Sequence, residues 1–364
     1  VTSNINNIET AYAKRSKRWK LTLTLLVIAL FLTALVALNI GYEFISFPEI
    51  LTALCNQIPF INSTIDPNTL PANFAGIESI IVHVRLPRII GGIIIGAGLA
   101  ASGVLYQGVF RNPMADSFVL GVSTGASVGA GIGILVGSGL NLLGLPFTQV
   151  AAFAAALVTV FVVYNISRVG TRVPEMTLLL SGLAITFFLS AVFQIMQILA
   201  PTLQLHGLVS WTIGGIANIG WNDIWKITPL IIAGIILSYF FSRELNMISL
   251  GSDTAQHLGV NTERTKKILL TLGAMMTAAA VSISGAIGFV GLMIPHMTRL
   301  IMGPDHRLLL PASVIVGAIF LVICDAVARV LTGAAELPVG IITALAGGPF
   351  FIFLLRKKKL SYRM

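Results

Sequence analysis

The chain has 364 residues, of which 56% are hydrophobic and only 10% charged, with a formal net charge of +9. A soluble domain carries about 25% charged residues, so this composition excludes an ordinary soluble protein and points to a polytopic membrane protein. The positive charge sits in short clusters beside apolar runs, a pattern that orients a chain in a lipid membrane; no nucleic acid partner is expected.

Residues 1–20 form a basic segment with Lys14, Arg15, Lys17, Arg18 and Lys20, followed by an apolar run over 21–40. About 20 apolar residues suffice to cross a bilayer. No small-x-small cleavage site follows, so the run reads as a retained first helix rather than a removable signal. A long, mildly acidic loop then occupies 41–84, with Glu43, Glu49, Asp66 and Glu78. It ends in "VHVRLPRIIGG", where Arg85 and Arg88 stand three apart before the next apolar run. Further apolar runs fall near 89–109, 117–137, 147–165, 175–199, 227–241, 268–284, 288–302, 308–328 and 338–355. With the first, they predict ten transmembrane helices in a single all-α domain over 21–355, with a basic tail at 356–364.

Small residues punctuate these runs. Gly121, Gly125, Gly129, Gly133 and Gly137 recur every four residues, which on a helix makes one bare ridge for close approach by a neighbour. Cys55 and Cys324 lie far apart in sequence and read as ordinary thiols.

Placing the N-terminus inside puts 19 of the 23 Lys and Arg residues on the inner side and leaves four outside: Arg85, Arg88, Lys226 and Arg329. That bias predicts cytoplasmic termini. Lys226, beside Trp221 and Trp225, reads as an interfacial anchor. Asp325 is the only acidic residue that looks intramembrane, and Arg329 stands one turn later, the spacing of a local ion pair.

The longest inner polar stretch is "SRELNMISLGSDTAQHLGVNTERTKK", about 243–267. Ser252 is placed to cap a short helix that Gly259 ends, and Asn261 or Thr262 to cap the next turn. Leu250, Ala255, Leu258 and Val260 give this loop an apolar side. It reads either as an ordinary structured loop or as a docking element for a cytoplasmic partner. The chain has no G-x-x-x-x-G-K-[ST] phosphate loop, no H-E-x-x-H and no G-x-S-x-G. It is therefore not expected to be an enzyme, and the scarcity of mid-membrane ionisable groups argues against an ion relay.

The stretches "SLGSDTAQHLGV", "SGAIGFVGLMIPHMTRLIMGPDHRLLLPAS", "DAVARVL" and "AAELPVGIITALAGGPFFIFLL" closely resemble the permease subunits of importers for iron-siderophore, haem and vitamin B12. So does "RLPRIIGGIIIGAGLAASGVLYQGVFRNPMADSFVLGVSTGASVGA", and together the resemblance covers about residues 80 to 356. It implies a type II ABC importer permease fold of ten helices, working as a homodimer in the cell membrane. Two separate ATPase subunits would carry ATP and Mg, while this chain binds no cofactor or metal. The resemblance implies that those subunits dock on the coupling loop, through Leu250, Gly251, Ala255, Leu258, Gly259 and Val260. An extracytoplasmic binding protein would dock its carboxylates on Arg85, Arg88 and Arg329, for which lipid-phosphate anchoring is the plainer alternative. Asn112, Met114, Glu175 and Met176 fall near the family's cytoplasmic gate. His296 and His306 lie in stretches that the family shares whatever its substrate and so read as structural; His83 and His206 are freer positions. The implied cargo is a large chelate, iron-siderophore first, then haem or cobalamin. An ion-coupled carrier or channel, and an exporter permease, are the rival readings.

Overall fold

The computed structural model describes residues 2–41, 44–57, 73–137, 139–142, 144–170, 173–331 and 337–361. Glu43, Asp66, Arg172 and the end of the basic tail lie outside the described residues. In chain order the elements are α1 (Thr2–Asn39), α2 (Phe47–Asn56), α3 (Phe74–Ser79), a π-helical stretch (Ile80–Arg85) and α4 (Leu86–Val109). After α5 (Val122–Val136) comes a small antiparallel hairpin, β1 (Asn141–Leu142) with β2 (Leu145–Pro146), which pairs Asn141 with Pro146. Then follow α6 (Phe147–Ile166), α7 (Glu175–Leu199), α8 (Thr202–Ile213), α9 (Trp221–Phe240), α10 (Ser242–Ser249) and α11 (Ser252–His257). The chain closes with α12 (Thr262–Ser284), α13 (Val290–Met302), α14 (His306–Leu331) and α15 (Val339–Ser361).

Among the described residues, seven helical segments are long and apolar enough to cross a membrane. Three shorter apolar helices, Val122–Val136, Val290–Met302 and Val339–Leu354, bring the number to ten. Each coincides with one predicted span, and the protein is an all-α polytopic bundle.

The bundle is organised around α4, which packs against α9, α12, α13 and α14 and is buried along most of its length. Its sequence explains that position. Glycine inside a helix costs about 1 kcal/mol relative to alanine, yet in a membrane small residues gain close packing. At Gly103 a Cβ atom would lie only 1.8 Å from the Gly291 carbonyl oxygen, so α4 and α13 meet backbone to backbone. The predicted ridge of α5 behaves the same way, with Gly125, Gly129 and Gly133 turned onto α6.

α7 is the opposite case. Only Leu178, Gly182 and Phe193 are buried, while Met176, Leu180, Phe187, Phe188 and Ile198 are exposed. A helix so apolar and so little covered by its own chain must meet lipid or another protein.

The short helices α2, α3, α8 and α10 were not foreseen. Ten residues are too few to register as a span, and α2 is instead started locally: the Glu49 carboxylate accepts from both the Ser46 N–H and the Ser46 hydroxyl, at 2.9 and 2.6 Å. Before α8, Ala200 is extended because Pro201 follows it, so the apolar run breaks there and α8 begins separately.

Candidate functional site

Two polar clusters lie at opposite ends of α4, whose 24 residues set them roughly 36 Å apart. The first is built around Asp325 on α14. Its Oδ1 accepts from Arg88 Nε at 2.7 Å, and its Oδ2 lies 3.2 Å from Arg329 Nε, one turn along the same helix. The remaining guanidinium nitrogens of Arg329 reach the end of α1, where Nη1 donates to the Ile40 carbonyl at 2.7 Å and Nη2 to the Ala37 carbonyl at 3.0 Å. Arg85 Nη1 donates to the Leu38 carbonyl at 2.7 Å and to that of Asn39 at 3.3 Å. The last carbonyls of a helix lack intrahelical donors and form its negative end. Two guanidinium groups therefore close α1 and staple it to the π-helical stretch that leads into α4 and to α14. Gly41 makes room for this: a Cβ there would stand 2.5 Å from Arg85 Nη2.

This arrangement corrects two expectations. The pairing of Asp325 with Arg329 is present but incomplete, because the shorter contact comes from Arg88, 237 residues away. The three arginines were expected on an exposed rim; in the structure all three are buried, with Asp325 only 1% exposed, and they face inward. Burial follows from their partners, since backbone carbonyls and a carboxylate satisfy charges that a bare rim would leave to water. Lys226 stands at the same end: its ammonium donates to the Gly144 carbonyl of the hairpin, while the Trp221 indole N–H, on the same helix, donates to the Val82 carbonyl.

The second cluster holds the loop 242–267. α10 and α11 are packed together by Ile248, Ala255 and Val260, with Met247 alongside. Leu250 and Leu258 project from this unit, 71% and 58% exposed. Of the six coupling-loop residues, then, Ala255 and Val260 form the inner side of the loop and cannot be surface contacts. Gly251 and Gly259 both have positive φ, 127° and 88°, and turn the chain at either end of α11. The expected cap at Asn261 is present, its side chain accepting from Arg264 N–H at 3.1 Å. Ser252 does not cap α11: Gly251 takes that position, and the Ser252 hydroxyl turns to Glu175 at 3.3 Å.

Glu175 also takes Lys266 Nζ on Oε1 at 2.9 Å and Arg111 Nη2 on Oε2 at 2.8 Å. So of the four gate positions, Glu175 is occupied inside the protein. Met114 and Met176 are exposed, and the Asn112 side-chain oxygen accepts from Met114 N–H at 2.9 Å in a local turn. His296 packs against Phe350 and Phe351, and His306 Nδ1 lies 2.7 Å from Asn246 Oδ1. Both histidines sit in the packed interior, whereas His83 and His206 are exposed. Among the described residues no group of three His, Cys, Asp or Glu could hold a metal ion. Neither Arg111 nor Lys266 was singled out from the sequence. Lys266 stands in the polar run Glu263–Lys267 at the start of α12, one basic residue among several, and only its place in the fold reveals its partner.

The profile of the FecCD transport family matches residues 25–357. The chain belongs to the FecCD transport family. Among the relatives of this FecCD-family chain is the cobalamin import system permease of Halobacterium salinarum, 45% identical, with the alignment covering 78% of this chain and 74% of the relative. The hemin transport system permease of Yersinia pestis is 38% identical, over 76% of this chain and 83% of its own. The iron(3+)-hydroxamate import permease FhuB of Bacillus subtilis is 35% identical, over 78% and 72%. A solved metal-chelate type ABC transporter in an inward-facing conformation superposes with a TM-score of 0.78, at 31% identity, covering 92% of this chain and 98% of the other. This FecCD-family chain thus has the type II importer permease fold: it is the membrane-spanning subunit of an ABC transport system.

Proposed function

We propose that this chain is the permease of a binding-protein-dependent importer that carries a metal chelate into the cytoplasm, driven by ATP hydrolysed on a separate subunit. The observation that carries this reading is the pair of exposed leucines on an otherwise well-packed loop, Leu250 and Leu258, in a chain without a phosphate loop of its own. Such knobs suit insertion into a partner's cleft, where buried apolar anchors supply most of the affinity.

We orient the loop end toward the cytoplasm of the cell membrane, together with both termini, because 19 of the 23 basic residues then lie inside. The exposed apolar face of α7 is where a second copy of the chain packs, and the pathway runs along that interface. Met114 and Met176 stand close to its cytoplasmic mouth in this reading, with Asn112 setting the turn beneath. The binding protein docks at the other end. For its carboxylates to engage Arg85, Arg88 and Arg329 directly, they must displace the α1 carbonyls that now hold two of those arginines. Docking is thereby linked to a loosening of α1 against α14. Alternating access follows because ATP binding on the ATPase favours one of the two states.

The three relatives are permeases for cobalamin, haemin and a ferric hydroxamate, which share one chemistry: a metal ion wrapped in a large organic ligand. Family size favours an iron-siderophore cargo; the 45% identity with the cobalamin permease makes a corrinoid the first cargo to test. The deciding experiment is gentle extraction of the tagged chain from its native membrane with mass identification of its partners. An ATPase subunit at one per permease is expected, lost on Leu258→Asp. The accompanying binding protein would then be titrated with cobalamin, haemin and a ferric hydroxamate. A clean homo-oligomer without ATPase would overturn the reading in favour of an ion-coupled carrier.

A further inference from the structure

We propose that Glu175 is a positioning residue for transport, the link through which the ATPase-docking loop moves the cytoplasmic end of α7. The proposal rests on the importer reading and adds to it a specific route from the docking loop to the pathway.

Three segments of the chain converge on this one carboxylate. Arg111 comes from the turn after α4, held in a left-handed conformation at φ 48°. Ser252 is the first residue of α11, and Lys266 lies in the first turns of α12. Lys266 Nζ bridges the site, donating to Glu175 Oε1 and to Ser252 Oγ, each at 2.9 Å. A second strap runs parallel: Glu263 on α12 accepts from the Val173 N–H at 3.1 Å. The entry to α7, residues 173–175, is therefore held by α11 and α12 on both sides.

The packing on either side gives this link its consequence. α10 and α11 form one unit through Ile248, Ala255 and Val260, so a force on Leu250 or Leu258 is carried to Ser252 rather than absorbed in the loop. α7, by contrast, has few buried side chains along its length, so its own chain offers little resistance to a shift at its first residue. Met176, the next residue, is exposed at the proposed mouth of the pathway. The hub itself is not sealed: Glu175 is 18% and Arg111 42% exposed, so water can replace one contact as another forms. A partly wetted ion cluster that joins two units able to move relative to each other is a two-state element of the kind coupling requires.

The test uses the full-length permease with its co-purified ATPase subunits in lipid nanodiscs, carrying a spin label at Met176→Cys after Cys55→Ser and Cys324→Ala. The readout is the change in the label signal on adding ATP and vanadate, divided by the rate of ATP hydrolysis of the same preparation. Glu175→Gln keeps the side-chain size and removes the charge. It should cut this ratio roughly tenfold, the scale of coupling changes along such routes. Lys266→Gln should do the same, the double variant should be no worse than either single one, and Glu175→Asp should restore most of the response. A residue that merely stabilises the fold would lower yield or melting temperature and leave the ratio unchanged. Wild-type ratios in Glu175→Gln and Lys266→Gln, or losses that multiply in the double variant, would overturn the proposal. If Glu175→Gln does not assemble, Arg111→Gln, at the wetted edge of the cluster, is expected to reduce the ratio by a smaller factor, and a wild-type ratio there would equally count against it. Failure of the importer reading looks different: the unmutated chain would bring down no ATPase.

Discussion

The two ends of α4 carry the same charge motif, one carboxylate between two cations, built for opposite purposes. At Asp325 the carboxylate is 1% exposed, and one of its two arginine partners, Arg329, also serves the carbonyls at the end of α1. Nothing there can be exchanged without leaving a charge buried and uncompensated, which is costly. At Glu175 the partners are one exposed arginine and one lysine on a neighbouring helix, with a serine hydroxyl as third contact. The Arg111 contact is wetted, and such exposed pairs contribute little and re-form readily. The Lys266 ammonium, by contrast, is buried and held by Glu175 and Ser252. Burial of every charge therefore makes the first cluster a staple, and the wetted edge at Arg111 leaves the second able to exchange its contacts.

The strongest challenge to that contrast is Asp325→Ala. It leaves Arg88 and Arg329 buried without their anion and should cost about 3–5 kcal/mol, seen as a large fall in the detergent melting temperature. A staple that tolerated this change would not be a staple. Next comes Gly41→Val, which pushes against Arg85 Nη2; crowding of this kind costs ~1–3 kcal/mol, and α1 should become protease-sensitive near its end. Glu175→Gln keeps an oxygen for the buried Lys266 ammonium and should cost about 1–2 kcal/mol in the same melting assay, less than Asp325→Ala, so most of its effect appears in coupling.

The smallest effect concerns a third carboxylate that sharpens the comparison. Asp116, in the turn between α4 and α5, takes its hydrogen bond from the Phe118 N–H rather than from a cation. Burial pushes its carboxyl up to about 6. The folded state thus holds this proton more tightly than the unfolded chain, so its contribution is complete below about pH 4 and is lost as pH rises through about 6. Melting temperature should decline over that window, and Asp116→Asn should flatten the decline.

Much of the bundle was legible because membrane insertion is a one-dimensional rule: a run of apolar residues long enough to cross reads as a helix wherever it packs. Seven of the ten spans follow from that rule and three shorter ones from their apolar runs alone, while the bias of basic residues placed Arg85, Arg88, Lys226 and Arg329 together at one end. The glycine period of α5 likewise told which face meets a neighbour. The short elements were not legible, because α2 starts from local capping, α8 follows a proline break, and α10 is short and polar, none of which hydropathy registers. Nor was the split within the coupling loop. Ala255 and Leu258 are both apolar and three apart, yet one is packed beneath and the other projects.

The sequence by itself determined the fold class, the spans and the charge asymmetry, because those depend only on which residues lipid will accept. Tertiary structure alone decided where the charges went. Arg88 and Asp325 are separated by 237 positions, and Glu175 and Lys266 by 91. No periodicity reports such a pairing. It arises when helices distant in sequence are brought side by side, and each charge, denied water, takes the partner that the packing supplies.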